Sequence, residues 1–459
     1  MPGRHVIPDW KPVDTIPVLI PATASFVYAI YTLAFPPSTP LGRKLSTFFL
    51  GILVFFAFRH SEHIAPSFDA CDSFARTALI WYAHMSYEVC ILEFTPDVQP
   101  GPGETKERIR QAFKVLYDRS RNQVLEEQRK QKMNAAKESK PLLEQNDDTI
   151  TDKKTDEPIK APDNKRQHSA LAHYQHGYTR WQLVRYHAIK AMILYITYTS
   201  WDTYIMHYSP ANSHFWTFVD TDRIPFFNSL PTSIDWLELY WRTEETISWS
   251  LVGMWFYDSF HSICAVICVG LGIDGPDEWS LQLFGNLSDA WTVRRYWGKY
   301  WHNFIYHSFN GHVQCVTRGW IGMKRGALVT RLVENTLVFF LSGLMHSIVR
   351  WQEEPEGDFW SVTWLYTAQM IPIVLESVVI NYWRKVRQAL GYGPEAKWVD
   401  RMEYAIGYFW VFAWMFYCVP TYWIIRTWMT DEKMAQAYIA KHGFDPRNEA
   451  AFNQTVLEE

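Results

Sequence analysis

Seven stretches of this chain are almost free of charge and run for about a bilayer's width, which restricts the fold more than any other feature. They cover 16–36, 45–59, 187–208, 247–272, 326–349, 362–382 and 404–425. A hydrocarbon core about 30 Å thick takes about 20 apolar residues in helix. Lipid offers no partner to a bare peptide group, so each run must satisfy its own backbone as a helix. The 45–59 run is the shortest. An eighth, optional candidate at 74–93 is punctuated by Arg76, His84 and Glu88 and suits a partly buried or interfacial helix equally well. The expected fold is all-α: a polytopic integral membrane protein with about 7–8 transmembrane helices.

Composition agrees, with 17% aromatic residues and 23 tryptophans, far from the usage of an ordinary soluble domain. The slightly negative mean hydropathy averages the apolar runs with one hydrophilic insert. The predicted organisation is N-terminal membrane helices over 1–97, a polar insert over 98–180, a membrane-embedded core over 181–430 and a polar tail over 431–459. The first run follows a Pro-rich polar leader, lacks a compact basic region and reads as a retained signal anchor. Lys and Arg crowd the insert from Lys106 to Arg166, which predicts a cytosolic loop, with a surface helix near 103–135 and disorder over 136–166.

A net charge of -4, with no separate basic face, gives no reason to expect a nucleic-acid partner. The six cysteines are scattered and show neither a disulfide framework nor zinc-ligand spacing; no metal site is expected.

Chemistry is sought where polar side chains enter apolar runs, because each is costly in hydrocarbon unless it is partnered or lines a cavity. The run 326–349 is the richest. At about 100° per residue, Asn335, Ser342 and His346 fall within about 40° of one another, and Arg331 and Arg350 extend the stripe. Glu334 points about 100° away, toward a different partner. Imidazole is the side chain best matched to general-base work near neutral pH, which acyl transfer to an alcohol requires. The same polar groups serve equally as interhelical glue.

The segment 281–307 places Arg294, Arg295, Lys299, His302 and His307 among Trp291, Tyr296, Trp297, Tyr300 and Trp301. Such a mixture suits an interfacial helix holding a phosphate-bearing ligand, or a plain aromatic anchor.

The order Leu283-Phe284-Gly285, Ser288, Tyr296-Trp297-Gly298, Trp301-His302, then Ser342-Gly343-Leu344-Met345-His346 resembles the wax synthase-like acyltransferases, relatives of the membrane-bound O-acyltransferase superfamily. The resemblance implies a tunnel within the helices and assigns catalysis to His346. It places Trp297, Trp301 and His302 along the tunnel. Asn335 or His302 would position groups, Ser342 would line the site, and Arg294, Arg295 and Lys299 would meet the phosphates of acyl-CoA. Tyr296 stands where many relatives carry Phe, and Gly298-Lys299-Tyr300 where an Arg pair is common, so the donor contacts follow less directly than the histidine.

What the resemblance implies is transfer of an acyl group, acetyl from acetyl-CoA, to a hydroxyl of a lipophilic, terpenoid-like secondary metabolite. The expected setting is the endoplasmic reticulum membrane, with lipid as neighbour and no bound cofactor. A long-chain wax ester synthase is the alternative. A membrane di-iron enzyme is prompted by the 16 histidines, but the usual boxes are absent. A prenyltransferase or terpene cyclase is prompted by Asp274, Asp277 and Glu278, a single cluster where two are needed. A transporter is prompted by Asp258, His261 and Glu376. The formal HxxxD at His5 to Asp9 precedes any core.

Overall fold

The computed structural model describes residues 10–66, 68–101, 103–117, 178–210, 236–279, 282–302, 306–353, 359–393 and 395–442. Most of the insert, including the stretch read as disordered, the His5–Asp9 pair and the tail beyond 442 lie outside the described residues.

Among the described residues every regular element is a helix. The main ones are α1 (Ile16–Ala34), α2 (Pro40–Arg59), α3 (Phe68–Ser86), α4 (Thr105–Val115), α5 (Arg180–His207), α6 (Trp236–Gly270), α7 (Tyr306–Gln314), α8 (Leu328–Glu353), α9 (Phe359–Thr367), α10 (Met370–Ala389) and α11 (Lys397–His442). Six described stretches are long and apolar enough to cross a membrane: Pro12–Ala34, Pro40–Arg59, Trp236–Gly270, Leu328–Gln352, Phe359–Ala389 and Lys397–Pro420. The 45–59 run thus gains length by starting at Pro40. Thr39 caps that start by accepting Gly42 N–H at 3.1 Å, and Pro40 sits where a missing N–H costs nothing. The run at 187–208 is helical in α5 but carries Lys190 and Asp202 and is not among the six, so the described residues show six candidate spans and do not reach the seven or eight expected. The optional segment forms α3 and a π-helical turn, Tyr87–Ile91.

The described residues group into two units, one comprising 1–116, 194–257 and 284–459, the other 117–193 and 258–283. In the smaller unit Leu183, Ala265, Val269 and Trp279 form an apolar cluster. Beside it lie a Lys190–Asp258 ion pair at 2.8 Å and a His187 ring held by Ser262 at 3.2 Å and the Trp279 carbonyl at 3.3 Å. Asp274 accepts the Trp279 indole N–H at 2.8 Å, so two carboxylates considered for a diphosphate site or a proton path have structural partners here.

In the larger unit α4 lies against the end of α1. Buried Arg108 donates from Nε to the Ala34 carbonyl at 2.8 Å and also to the Val98 carbonyl, satisfying acceptors that the end of α1 leaves open. At the opposite ends of the helices, Gln352 donates to Ser61 Oγ at 2.9 Å, and buried Asp72 receives both Arg76 and Arg350, the latter at 3.2 Å. The last turn of α8 is thereby tied to α3 through a shared carboxylate.

Two local constraints shape what lies between. The helix over 359–389 breaks at Ala368–Gln369 because Pro372 has no N–H to donate to the Ala368 carbonyl and its ring crowds that group; the carbonyl instead takes Ile371 N–H at 2.9 Å. Gly285 donates to the Tyr300 carbonyl at 2.9 Å, and a Cβ there would stand 1.9 Å from the Lys299 carbonyl oxygen. Hydrogen is the only side chain that this approach admits. Gly285→Ala is expected to lower the yield of folded protein sharply, by more than the about 1–3 kcal/mol of ordinary overpacking. A thermal unfolding midpoint in detergent equal to that of the unaltered protein would show that the segment is not seated this way.

Candidate active site

The segment 284–302 is seated on α10 and α11 through one carboxylate. Glu376 in α10 accepts the backbone N–H groups of Val293 and Arg294, the second at 3.2 Å, and the Trp410 indole N–H at 3.0 Å. These amides begin a helical turn and have no partner within it, so the acidic side chain completes them. Glu376, weighed from sequence as part of a proton path, therefore acts as an anchor. The following π-helical turn, Tyr296–Tyr300, presents its rings inward. Tyr296 bonds Ser250 at 2.9 Å, Trp301 stacks on Trp249 at 6.2 Å between ring centres, and Trp301 also stacks on Tyr296 at 5.7 Å.

His302 packs among Tyr257, Phe284 and Trp301 with ring centres 5.3, 5.7 and 5.3 Å away. Burial pushes its imidazole down to about 3, so the ring is neutral at physiological pH and works through shape and hydrogen bonding rather than charge.

The α8 side of the site depends on a close helix crossing. A Cβ on Gly343 would lie 2.8 Å from both the Cα and the carbonyl oxygen of Thr363 and 3.0 Å from Tyr366 Cβ. Beside it Ser347 and Thr363 share a hydrogen bond of 2.7 Å. Small residues let membrane helices approach this closely. One turn on, the half-buried His346 ring lies parallel to Tyr366 at 4.5 Å, with 14° between the planes. Ser342 is buried on the same helix.

Tyr366 is shared with an aromatic crevice of about 260 Å³, counted to its open mouth, lined by Trp249, Trp297, Leu365, Tyr366, Gln369, Met415, Cys418 and Val419. At the helix break, Gln369 turns its amide into this wall. Its oxygen accepts both indole N–H groups, Trp297 at 3.1 Å and Trp414 at 2.8 Å, while its nitrogen donates to the Leu365 carbonyl at 3.2 Å. Two donors on one oxygen fix which way the amide faces.

His346, Trp297 and Trp301 thus come to one place, with Ser342 on the same helix. Asn335 does not join them: it is exposed and, eleven residues before His346, sits about 16 Å away along the helix. Periodicity gave its face but not its depth. Glu334 has the separate partner expected of it, an ion pair with Arg318 at 2.6 and 2.7 Å and a bond from Thr317 at 3.1 Å. The expected phosphate contacts divide. Arg295 is held by Asp289 through its carbonyl at 2.9 Å and its carboxylate, and lies over Trp291. Arg294 donates to Ser377 and to the Ile373 carbonyl at 3.4 Å, whereas Lys299 is half-buried and has no ion pair among the described residues. Gln369, Tyr366 and the α11 wall were not singled out from sequence. The available signals were a glutamine three residues before a proline inside an apolar run, and the spacing of Val411, Met415 and Cys418.

Residues 279–368 match the membrane bound O-acyl transferase family, a stretch that contains every motif residue from Leu283 to His346. The chain is also similar to three curated fungal proteins. Acetyltransferase ataH of Aspergillus terreus is 29% identical over 176 residues, covering 38% of this chain and 55% of that protein. Acetyltransferase eriL of Hericium erinaceus is 26% identical over 215 residues, 46% of this chain and 50% of its own length. Acetyltransferase atnC of Arthrinium sp is 34% identical over 102 residues, 22% of this chain and 23% of that protein. The chain spans about half the length of the first two and less of the third. No solved structure matches it.

Gln369→Leu orphans two indole donors and is expected to cost about 1–3 kcal/mol for each, read as a lower unfolding midpoint and a shifted tryptophan emission. Gln369→Glu keeps the acceptor and should recover most of both signals; equal loss in the two variants would mean that the indoles are not held by this oxygen.

Proposed function

We propose that the protein is a membrane-bound O-acyltransferase that moves an acetyl group from acetyl-CoA to a hydroxyl of a lipophilic, terpenoid-like secondary metabolite. The observation that carries this reading is the placement of His346, stacked on the tyrosine that also walls the aromatic crevice. The family match over 279–368 and the relatives named as acetyltransferases support the reaction class and the donor.

The chemistry needs one base and no covalent acyl-enzyme. His346 takes the proton of the acceptor hydroxyl while that oxygen attacks the thioester carbonyl. The C–S bond then breaks, and the departing thiolate recovers the proton from the imidazolium. Tyr366 fixes the plane of the histidine by stacking, and Gly343 sets how near that tyrosine stands. Ser342 lines the base of the site, and neutral His302 and Trp301 shape its approach. Of the three cations expected to meet donor phosphates, Lys299 is the best placed, since Arg295 is already neutralised by Asp289 and Arg294 lies beside Glu376.

The orientation we propose follows from charge. At the helix ends joined by the Arg108–Ala34 bond lie Arg43, Lys44, Lys324, Arg325, Lys385 and Lys397, whereas the opposite ends carry mainly Arg59, Arg76 and Arg350. The excess of cations assigns the first side to the cytosol, with the insert on that side and the endoplasmic reticulum as the membrane.

The test is acetyl transfer from radiolabelled acetyl-CoA to a panel of terpenoid and fatty alcohols in microsomes. His346→Ala, inserted at normal level, is expected to lower turnover by about 10²–10⁴-fold, the usual contribution of a general base. Undiminished turnover in that variant would falsify the assignment, and exclusive use of palmitoyl-CoA with fatty alcohols would replace it with wax ester synthesis.

A further inference from the structure

The two histidines of the acyl-transfer reading sit on separate parts of the chain, His346 in α8 and His302 at the end of the 284–302 segment, and one face of α6 touches the companions of both. Trp249 lies parallel to Trp301, the residue before His302, with 9° between the planes and 6.2 Å between ring centres. The same indole stands 6.5 Å from Tyr366, the ring on which His346 is stacked. Four residues on, Gly253 leaves room for Trp301: a Cβ there would lie 3.0 Å from Cη2 and 3.4 Å from Cζ2 of that indole. Another four residues on, Tyr257 packs edge to face on His302 at 5.3 Å. Residues four apart share one side of a helix, so α6 meets the segment with a single face. Ser250, next to that face, bonds the Tyr296 hydroxyl at 2.9 Å.

Trp301 has little freedom to give way. Tyr296 stacks on it at 5.7 Å and 20°, and Phe284 and Trp297 meet it edge to face at 5.6 and 5.7 Å, all within the range of direct ring contact. A displacement starting at position 249 or 253 is therefore passed on to the residues beside the two histidines.

We infer that this face of α6 sets the register between the two histidine-bearing parts of the site, with Trp249 as the positioning residue and Gly253 as the gap that lets Trp301 lie against the helix. The inference rests on the acyl-transfer reading and adds to it a helix outside the 279–368 match. An indole is no general base and glycine has no side chain, so both act on turnover through geometry, where a misplacement of about 1 Å can cost about 10²-fold.

The experiment measures acetyl transfer to an alcohol that the unaltered enzyme acetylates, with kcat per folded molecule and KM determined separately. Trp249→Leu is expected to lower kcat by about tenfold or more while KM for acetyl-CoA stays within about twofold, and Trp249→Phe, which keeps a flat ring there, to recover most of the loss. Gly253→Ala tests the same face without removing a ring and is expected to lower kcat by about tenfold. Adding Trp301→Phe, which removes the two atoms that the new methyl group meets, is expected to raise turnover above that of Gly253→Ala alone. A merely structural role would reduce the amount of folded enzyme and leave kcat per folded molecule unchanged. If Trp249→Leu fails to insert, the Gly253 and Trp301 pair decides. Folded variants with unaltered kcat, or losses at 253 and 301 that simply multiply, overturn the assignment of α6 and leave the transferase reading standing. An unaltered protein that transfers no acyl group overturns both.

Discussion

The approach of α8 to α9 at Gly343 is the contact on which the site depends. Backbone atoms of Thr363 occupy the space that any side chain at 343 would need, and no apolar driving force separates helix from lipid to compensate for a looser fit. The crossing aligns the Ser347–Thr363 hydrogen bond, brings Tyr366 flat against His346 and so joins the crevice wall to that ring. In a bilayer this is packing by shape with one hydrogen bond beside it, and a methyl group at 343 collides with it.

Ionisable groups inside the apolar runs are mostly engaged in holding the frame. Glu334 is taken by Arg318 and Thr317, Glu376 by two amides and an indole, Asp258 by Lys190, and Asp72 by two arginines. Such groups are expensive in hydrocarbon, and pairing them with backbone amides or with cations removes most of that cost. His346, by contrast, lies face to face with the ring of Tyr366.

The helical membrane architecture was legible because the bilayer imposes a length and a polarity that any reader of the chain can measure. The span count was less so: α5 is helical yet not among the six candidate spans of the described residues, while α2 recruits residues before its apolar stretch. The motif residues Trp297 and His346 both meet Tyr366, and helical periodicity separated Glu334, which pairs with Arg318, from the stripe. Periodicity could not reveal that Asn335 is exposed at a level where Thr330 and Glu334 are buried, since an angle does not say which face a neighbouring element covers there. Gln369 was invisible for a different reason. Its partners lie 72 residues before it and 45 after, and a buried amide in an apolar run looks like any other polar interruption until those partners are in place.

The break at Ala368–Gln369 has a consequence for how such a site diversifies. Its position is set by the covalent ring of Pro372 and not by the residues that line the crevice, so the joint stays where it is while the lining changes. Met415 and Val419 line the crevice from α11, a different helix from the one whose joint the proline sets. The fold thus separates a backbone geometry written into glycine and proline from a cavity shape written into ordinary hydrophobic residues.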